Sequence, residues 1–153
     1  MSELVTILVA TMSGTTEMVA EEVAGHIEDA GGSAKILRME KASVATLATA
    51  KGPILICSST YGTGEVPDNG QALYAALEAE RPALSGLRYG VIALGDSIYP
   101  QTFCFGGKRF DTLLASLGAR RIGDRFEYDS RSGVYPEEAA SEWAGQWFKS
   151  LDA

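Results

Sequence analysis

The sequence is poor in cysteine, in histidine and in positive charge, and each shortage closes off a class of protein. Only Cys57 and Cys104 occur, far apart and outside any Cys-x-x-Cys pair. That is too few for a disulfide scaffold or a structural zinc site, and it suits a reducing cytoplasm. The 13 Lys and Arg are outnumbered by 20 Asp and Glu, for a formal net charge of -7. No cationic surplus exists to displace counterions from nucleic acid or to hold an anionic membrane surface. No apolar run approaches the ~20 residues of a membrane-spanning helix. The first eleven residues put no basic stretch ahead of a short apolar run, so they read as a strand and not as a signal peptide. The phosphate-binding pattern GxxxxGK[ST] is missing, and no GxGxxG follows the first apolar run. The one histidine, His26, falls on the charged side of a helical stretch, and nothing suggests acid–base chemistry on a bound substrate.

What is present is an ordinary globular composition, 46% hydrophobic and 22% charged, over 153 residues. That length argues for a single domain spanning 1–153. Apolar runs alternate with helical patterns from end to end. Residues 5–10, 54–57 and 89–94 are short runs that are apolar on both faces. Between them, Val19, Val23, Ile27 and Ala30 recur at helical spacing up to Gly31-Gly32, a pair that favours a left-handed helix end. Further helices are expected over 44–50 (a weak one), 69–80 and 106–117. The last helix carries Trp143, Trp147 and Leu151 as a docking stripe.

Strands alternating with helices mean βαβ units and a parallel sheet. Runs at 34–39 and 122–128 carry charges such as Lys35, Arg38, Asp124 and Glu127, which edge strands tolerate and central strands do not. With those two at the edges, the strand order is 2-1-3-4-5. Right-handed crossovers then place helices on both faces of a doubly wound, five-stranded α/β sheet.

In such a sheet, ligands bind beyond the carboxyl ends of the strands, where the winding reverses. Each of the three central runs ends there in a distinctive loop. Thr11-Met12-Ser13-Gly14-Thr15-Thr16 gathers hydroxyls and backbone N–H groups at a helix start, an arrangement that holds phosphate. Without a lysine it suits a permanently held monophosphate better than a phosphoryl group in transfer. The second loop is Ser58-Ser59-Thr60-Tyr61-Gly62-Thr63-Gly64-Glu65-Val66-Pro67-Asp68-Asn69, an aromatic beside two glycines. The third, Leu94-Gly95-Asp96-Ser97-Ile98-Tyr99, runs on to Phe103-Cys104. Aromatics on neighbouring loops can sandwich a planar ring by offset stacking. Cys57 reads as strand packing, and Cys104 as a packed thiol near the loops.

Taken together, these loops resemble the three FMN-binding loops of flavodoxins. The likeness is closest to small stand-alone MioC-type flavodoxins and to the FMN domains of diflavin reductases. It extends over the whole chain, through Gly107-Lys108-Arg109-Phe110-Asp111 and Leu117-Gly118-Ala119 to the last helix. The 2-1-3-4-5 order is that family's own order, so it is consistent with the likeness and not independent of it.

The resemblance implies roles residue by residue. Thr11, Met12, Ser13, Gly14, Thr15 and Thr16 form the phosphate loop, with Met12 at a position where the family varies and its side chain pointing outward. Ser59, Thr60, Tyr61, Gly62, Thr63 and Gly64 form the second wall. In it Tyr61 flanks the isoalloxazine, and the Gly62 peptide turns its carbonyl towards flavin N5 on one-electron reduction. Leu94, Gly95, Asp96, Tyr99, Phe103 and Cys104 form the third, with Tyr99 stacked on the ring. An acid after the last strand, Asp124 or Asp129, approaches the ring, and spacing does not choose between them.

The implied function is a low-potential one-electron carrier without a substrate of its own. Its electrons come from a separate flavodoxin/ferredoxin-NADP reductase-type donor, because 153 residues leave no room for a nicotinamide domain. They go to a redox enzyme through a basic docking surface that complements the acidic charge. A cytoplasmic monomer is expected. The alternative is an FMN-dependent quinone or NAD(P)H oxidoreductase of the same fold, which ordinarily needs extra loops to shape a substrate pocket. A phosphorelay receiver of the same topology fits poorly, because its acids would fall at Ala10-Thr11 and Cys57-Ser58.

Overall fold

The structure is a computed structural model that describes residues 4–11, 14–60 and 64–151. Strands β1 (Leu4–Ala10), β2 (Ser33–Arg38), β3 (Ile54–Ser58) and β4 (Arg88–Gly95) alternate with helices α1 (Gly14–Asp29), α2 (Val44–Ala48), α3 (Asp68–Glu80) and α4 (Phe105–Ser116). A fifth strand, β5, comes in two segments, Arg120–Arg121 and Phe126–Asp129, and helix α5 (Pro136–Ser150) closes the chain. All the pairings are parallel, in the order β2-β1-β3-β4-β5. The expected α/β architecture and order are therefore present.

Alternation along the central strands explains the two layers. Ile7 and Val9 of β1, Leu55 and Cys57 of β3, and Ile92 and Leu94 of β4 face α1 and α5. Their neighbours Leu8, Ile54, Ile56, Val91 and Ala93 face the opposite core, where Leu73, Leu77, Phe110 and Leu114 of α3 and α4 pack. A strand covered on both faces has no room for charge, which is why the apolar runs mark the centre of the sheet. β2, with its half-exposed side chains, lies at one edge.

The helices follow the expected periods, except that Ala30 lies exposed just past the end of α1. Val19, Val23 and Ile27 of α1 are buried and His26 is exposed. Gly31 takes φ +97° just past the end of α1, a conformation that a side chain would strain, and Gly32 N–H donates to the Ile27 carbonyl. Trp147 and Leu151 bury the α5 face, with Trp143 stacked on Trp147.

β5 departs from the expected continuous strand over 122–128. Its first segment ends with Arg121 opposite Tyr89, and its second begins with Phe126 opposite Ile92. That is five steps along β5 against three along β4, so two extra residues are inserted (5 − 3 = 2). Arg121 and Arg125, either side of the insertion, both reach Oδ2 of Asp111 on α4 at 2.5 Å. The hydroxyl of Tyr89 donates to the other oxygen of this buried carboxylate at 2.6 Å. A buried charge is tolerated when paired and hydrogen-bonded in this way, and the pairing pins the bulge to α4. An insertion of two preserves the alternation of faces, so Tyr128 keeps its face of the sheet but is set back two positions, opposite Leu94.

Candidate functional site

The carboxyl ends of β1, β3, β4 and β5 open on one cavity of about 460 Å³. This is within the usual size of ligand pockets, ~300–1,000 Å³. Thr15 and Thr16, in the first turn of α1, line one end, where helix N–H groups lack internal partners and the helix dipole favours an anion. A Cβ on Gly14 would meet no described residue beyond its chain neighbours within 4 Å. Ser59 and Thr60 line the β3 side, and Leu94, Gly95, Asp96, Tyr99 and Thr102 the β4 side. Tyr128 and Ser130 close it from β5. No described Lys or Arg is among the lining residues.

Two scaffolds hold the walls. Behind the β1 loop stands Asn69, in the first turn of α3. Its Oδ1 accepts from Thr11 N–H at 2.8 Å, and its amide nitrogen donates to the Val9 carbonyl and to Glu40, each at 3.0 Å. Glu40 also accepts from Arg38 Nε at 2.9 Å, and Arg38 pairs on with Glu17 of α1. The Asn69 bond, then the Arg38 bond, hold the Glu40 carboxyl down at about 2. On the β3 side the Thr60 hydroxyl donates to the Leu94 carbonyl and accepts from Gly106 N–H, both at 3.0 Å.

The β4 and β5 loops are joined differently. Ser130 N–H donates to the Gly95 carbonyl at 2.9 Å. Asp129 Oδ1 accepts from the amides of Ser97 (3.1 Å) and Arg131 (3.0 Å). Asp96 Oδ1 accepts from Ile98 N–H at 3.0 Å and from Arg131 Nε at 2.5 Å. These bonds lower both carboxyls below their ordinary range, chiefly through Ile98 for Asp96 and Ser97 for Asp129. The Tyr128 hydroxyl donates to the Val134 carbonyl. Asp129 ends its strand opposite Gly95 at the cavity rim, whereas Asp124 lies within the bulge. Of these two acids, Asp129 is the one bonded to the β4 loop.

The residues singled out from sequence divide into groups. Thr15, Thr16, Ser59, Thr60, Leu94, Gly95, Asp96 and Tyr99 line the cavity, with Tyr99 64% exposed. Thr11 is buried beside it on Asn69, and Gly14 begins α1. Gly64, Phe103 and Cys104 stand behind the wall. The Gly64 carbonyl accepts from Arg109 Nε at 2.6 Å, and Phe103 packs on the α3/α4 core. The Cys104 thiol faces the carbonyls of Ala93 and Tyr128. A Cβ on Gly95 would fall 2.5 Å from Cys104 N, so only glycine lets these two loops approach so closely. Met12, Ser13, Tyr61, Gly62 and Thr63 lie outside the described residues. Burial pushes the thiols of Cys57 and Cys104 up to about 12. Both are therefore packed and protonated.

Four contributors were not visible in sequence. Thr102, Tyr128 and Ser130 reach the cavity through loop and bulge geometry that no local pattern encodes. Asn69 closes the second motif and starts a helix in the sequence, but nothing local shows that it reaches Thr11 and Val9.

The donor set has one chemical sense. Hydroxyls and a helix start, with no described cation, suit a phosphate monoester, and an exposed tyrosine between two loops suits a planar ring. FMN combines both groups, and the residues present fit it.

A sequence model of the family described as Flavodoxin matches residues 7–143. The chain is 40% identical over 148 residues to flavodoxin YqcA of Pectobacterium carotovorum subsp. carotovorum, covering 96% of each chain. It is 33% identical over 147 residues to protein MioC of Escherichia coli K12, covering 96% of this chain and 97% of that one. Among solved structures, a cysteine-to-alanine mutant of flavodoxin from Pseudomonas aeruginosa superposes with a TM-score of 0.86 at 36% identity, over 98% of this chain and 99% of that one.

Proposed function

Because the chain belongs to the flavodoxin family, whose members are typically non-catalytic electron carriers, we propose that it holds one FMN in the cavity above β1, β3, β4 and β5 and passes single electrons between two redox proteins. The observation that carries this reading is the cavity itself, with the head of α1 and its threonines at one end and exposed Tyr99 at the other. Thr11, Ser13, Gly14, Thr15 and Thr16 bind the phosphate through hydroxyls and the N–H groups of the first turn. Tyr99 and Tyr61 orient the ring by stacking, and Gly62 offers its peptide at the ring edge. Ser59, Thr60, Leu94, Gly95 and Asp96 bound the remaining sides, and Tyr128 and Ser130 exclude water from the β5 flank.

Bound FMN supplies the one-electron chemistry. The protein tunes it by charge. Asp96 and Asp129 at the rim and a net charge of -7 disfavour further negative charge on a reduced ring, which lowers the potential. The same acidity supports docking to basic surfaces on an NADP reductase-type donor and on an acceptor enzyme in the cytoplasm. No helix of the described residues is long and apolar enough to cross a membrane.

The test is direct. Apo-protein titrated with FMN takes up one equivalent, turns yellow and quenches flavin fluorescence. A protein that stays colourless overturns the reading. NADPH reduces the bound flavin only when a separate reductase is added, and rapid reduction by NADPH alone would favour the oxidoreductase alternative.

A further inference from the structure

Among the lining residues of the cavity, those at the β4–β5 rim are the ones held in place by ions. Asp96 lines the cavity, and Asp129 ends the strand beside it. Both carboxylates are joined to one residue, Arg131, which gives its guanidinium Nε to Asp96 at 2.5 Å and its backbone amide to Asp129 at 3.0 Å. Each carboxylate also fixes the loop that bears Tyr99, through Ile98 N–H and Ser97 N–H. Arg131 therefore spans the two loops between which Tyr99 and Ser130 face the cavity. Its side chain is half exposed, so its own bond to Asp96 is subject to exchange with solvent.

We propose that Arg131 is the positioning residue of this rim: its guanidinium clasps the Tyr99 loop to the β5 loop through Asp96, and it leaves the rim one net negative charge where two carboxylates alone would leave two. The proposal rests on the FMN reading and deepens it, because the charge beside the ring is what separates affinity for oxidised from affinity for reduced flavin. An arginine suits the role by staying charged at any physiological pH, so the compensation does not vary with conditions. Without it, Asp96 stands uncompensated at the cavity wall. A reduced, negatively charged ring is then disfavoured more strongly than an oxidised one. For one unit charge at a partly screened site the difference amounts to about five-fold in relative affinity.

Three variants test it: Arg131→Gln, Asp96→Asn and the double variant. In Arg131→Gln, the ratio of oxidised-to-reduced FMN affinity rises about five-fold, read as a more negative potential of the bound flavin. In the double variant the ratio returns to within two-fold of wild type (about the scatter of such cycles) because the unpaired carboxylate is gone. In apo-protein, without any flavin, 15N relaxation at Ser97, Ile98 and Tyr99 shows added motion in Arg131→Gln. An unchanged ratio in Arg131→Gln, or a shifted ratio that Asp96→Asn does not restore, overturns the charge role. Unchanged relaxation in apo-protein overturns the clasp. Failure of the wild-type protein to bind FMN refutes the functional reading instead, and the apo-protein measurement still decides the clasp.

Discussion

The two sides of the cavity are built from different forces. On the β1 side a neutral amide, Asn69, satisfies Thr11 N–H and the Val9 carbonyl from a distance of about sixty residues along the chain. On the β4–β5 side the loops meet through two carboxylates and a guanidinium at the surface. A neutral bond in a partly buried place is insensitive to salt, and losing it leaves a backbone group unsatisfied. Exposed ions are individually weak, adjustable and screened. The first side suits a grip that does not change between redox states, the second a place where charge is set. The difference teaches that rigidity and tuning have been put on opposite walls.

The sharpest way to break this comparison is Asn69→Ala. It removes both backbone bonds and the exposed bond to Glu40, and should destabilise the apo-protein by about 2 kcal/mol, measured by urea unfolding, with nearly the same loss at low and high salt because the two backbone bonds dominate. A strongly salt-dependent loss would mean that the Glu40–Arg38–Glu17 ions, and not the backbone bonds of Asn69, hold the β1 wall. Next in size is Tyr99→Ala. Because Tyr99 is exposed, stability should stay within about 0.5 kcal/mol of wild type, while FMN affinity falls about ten-fold by loss of ring stacking. Fluorescence titration checks the affinity, and an unchanged value removes Tyr99 from the site.

A gentler probe is salt alone. At about 1 M, where the screening length is near 3 Å, relaxation at Ser97 and Ile98 should report loosening while Thr11 and Thr15 stay as they were. Equal responses on the two walls would erase the distinction.

The smallest effect concerns Glu40, whose carboxyl is held at about 2 by Asn69 and Arg38. A carboxyl lowered on folding adds stability that is complete above its unfolded value, near 4.5, and is lost as pH falls from there through about 2. Glu40 is exposed, so its share is only about a few tenths of a kcal/mol. Glu40→Gln should be less stable than wild type by that slight amount at neutral pH, and acid titration should show the difference fading through this window and gone below about 2.

Much of this was legible beforehand, for a physical reason. Burial on two faces demands apolar runs, so the three central strands and the charged edges announced the sheet order. The loops at their ends carry glycines, hydroxyls and tyrosines, and most of the described ones among the residues singled out line the cavity. The exceptions are instructive. Phe103 and Cys104 are local neighbours of the third loop, yet the chain turns at Cys104, which adopts φ 58°, and sends both towards the core. Tyr128 and Ser130 reach the cavity because a two-residue bulge, pinned by Asp111, decides where β5 resumes. Asn69 works on partners at the far end of the sequence. Such effects depend on distant pairings, and a sequence pattern records only near ones.

The protonated, enclosed state of both cysteines has a practical consequence. A thiol reagent finds no nucleophile on the folded protein, so a cysteine installed at an exposed position, such as Glu80 at the end of α3, would be a unique chemical handle. The molecule could be wired to an electrode in one chosen orientation, with no native residue to be blocked first.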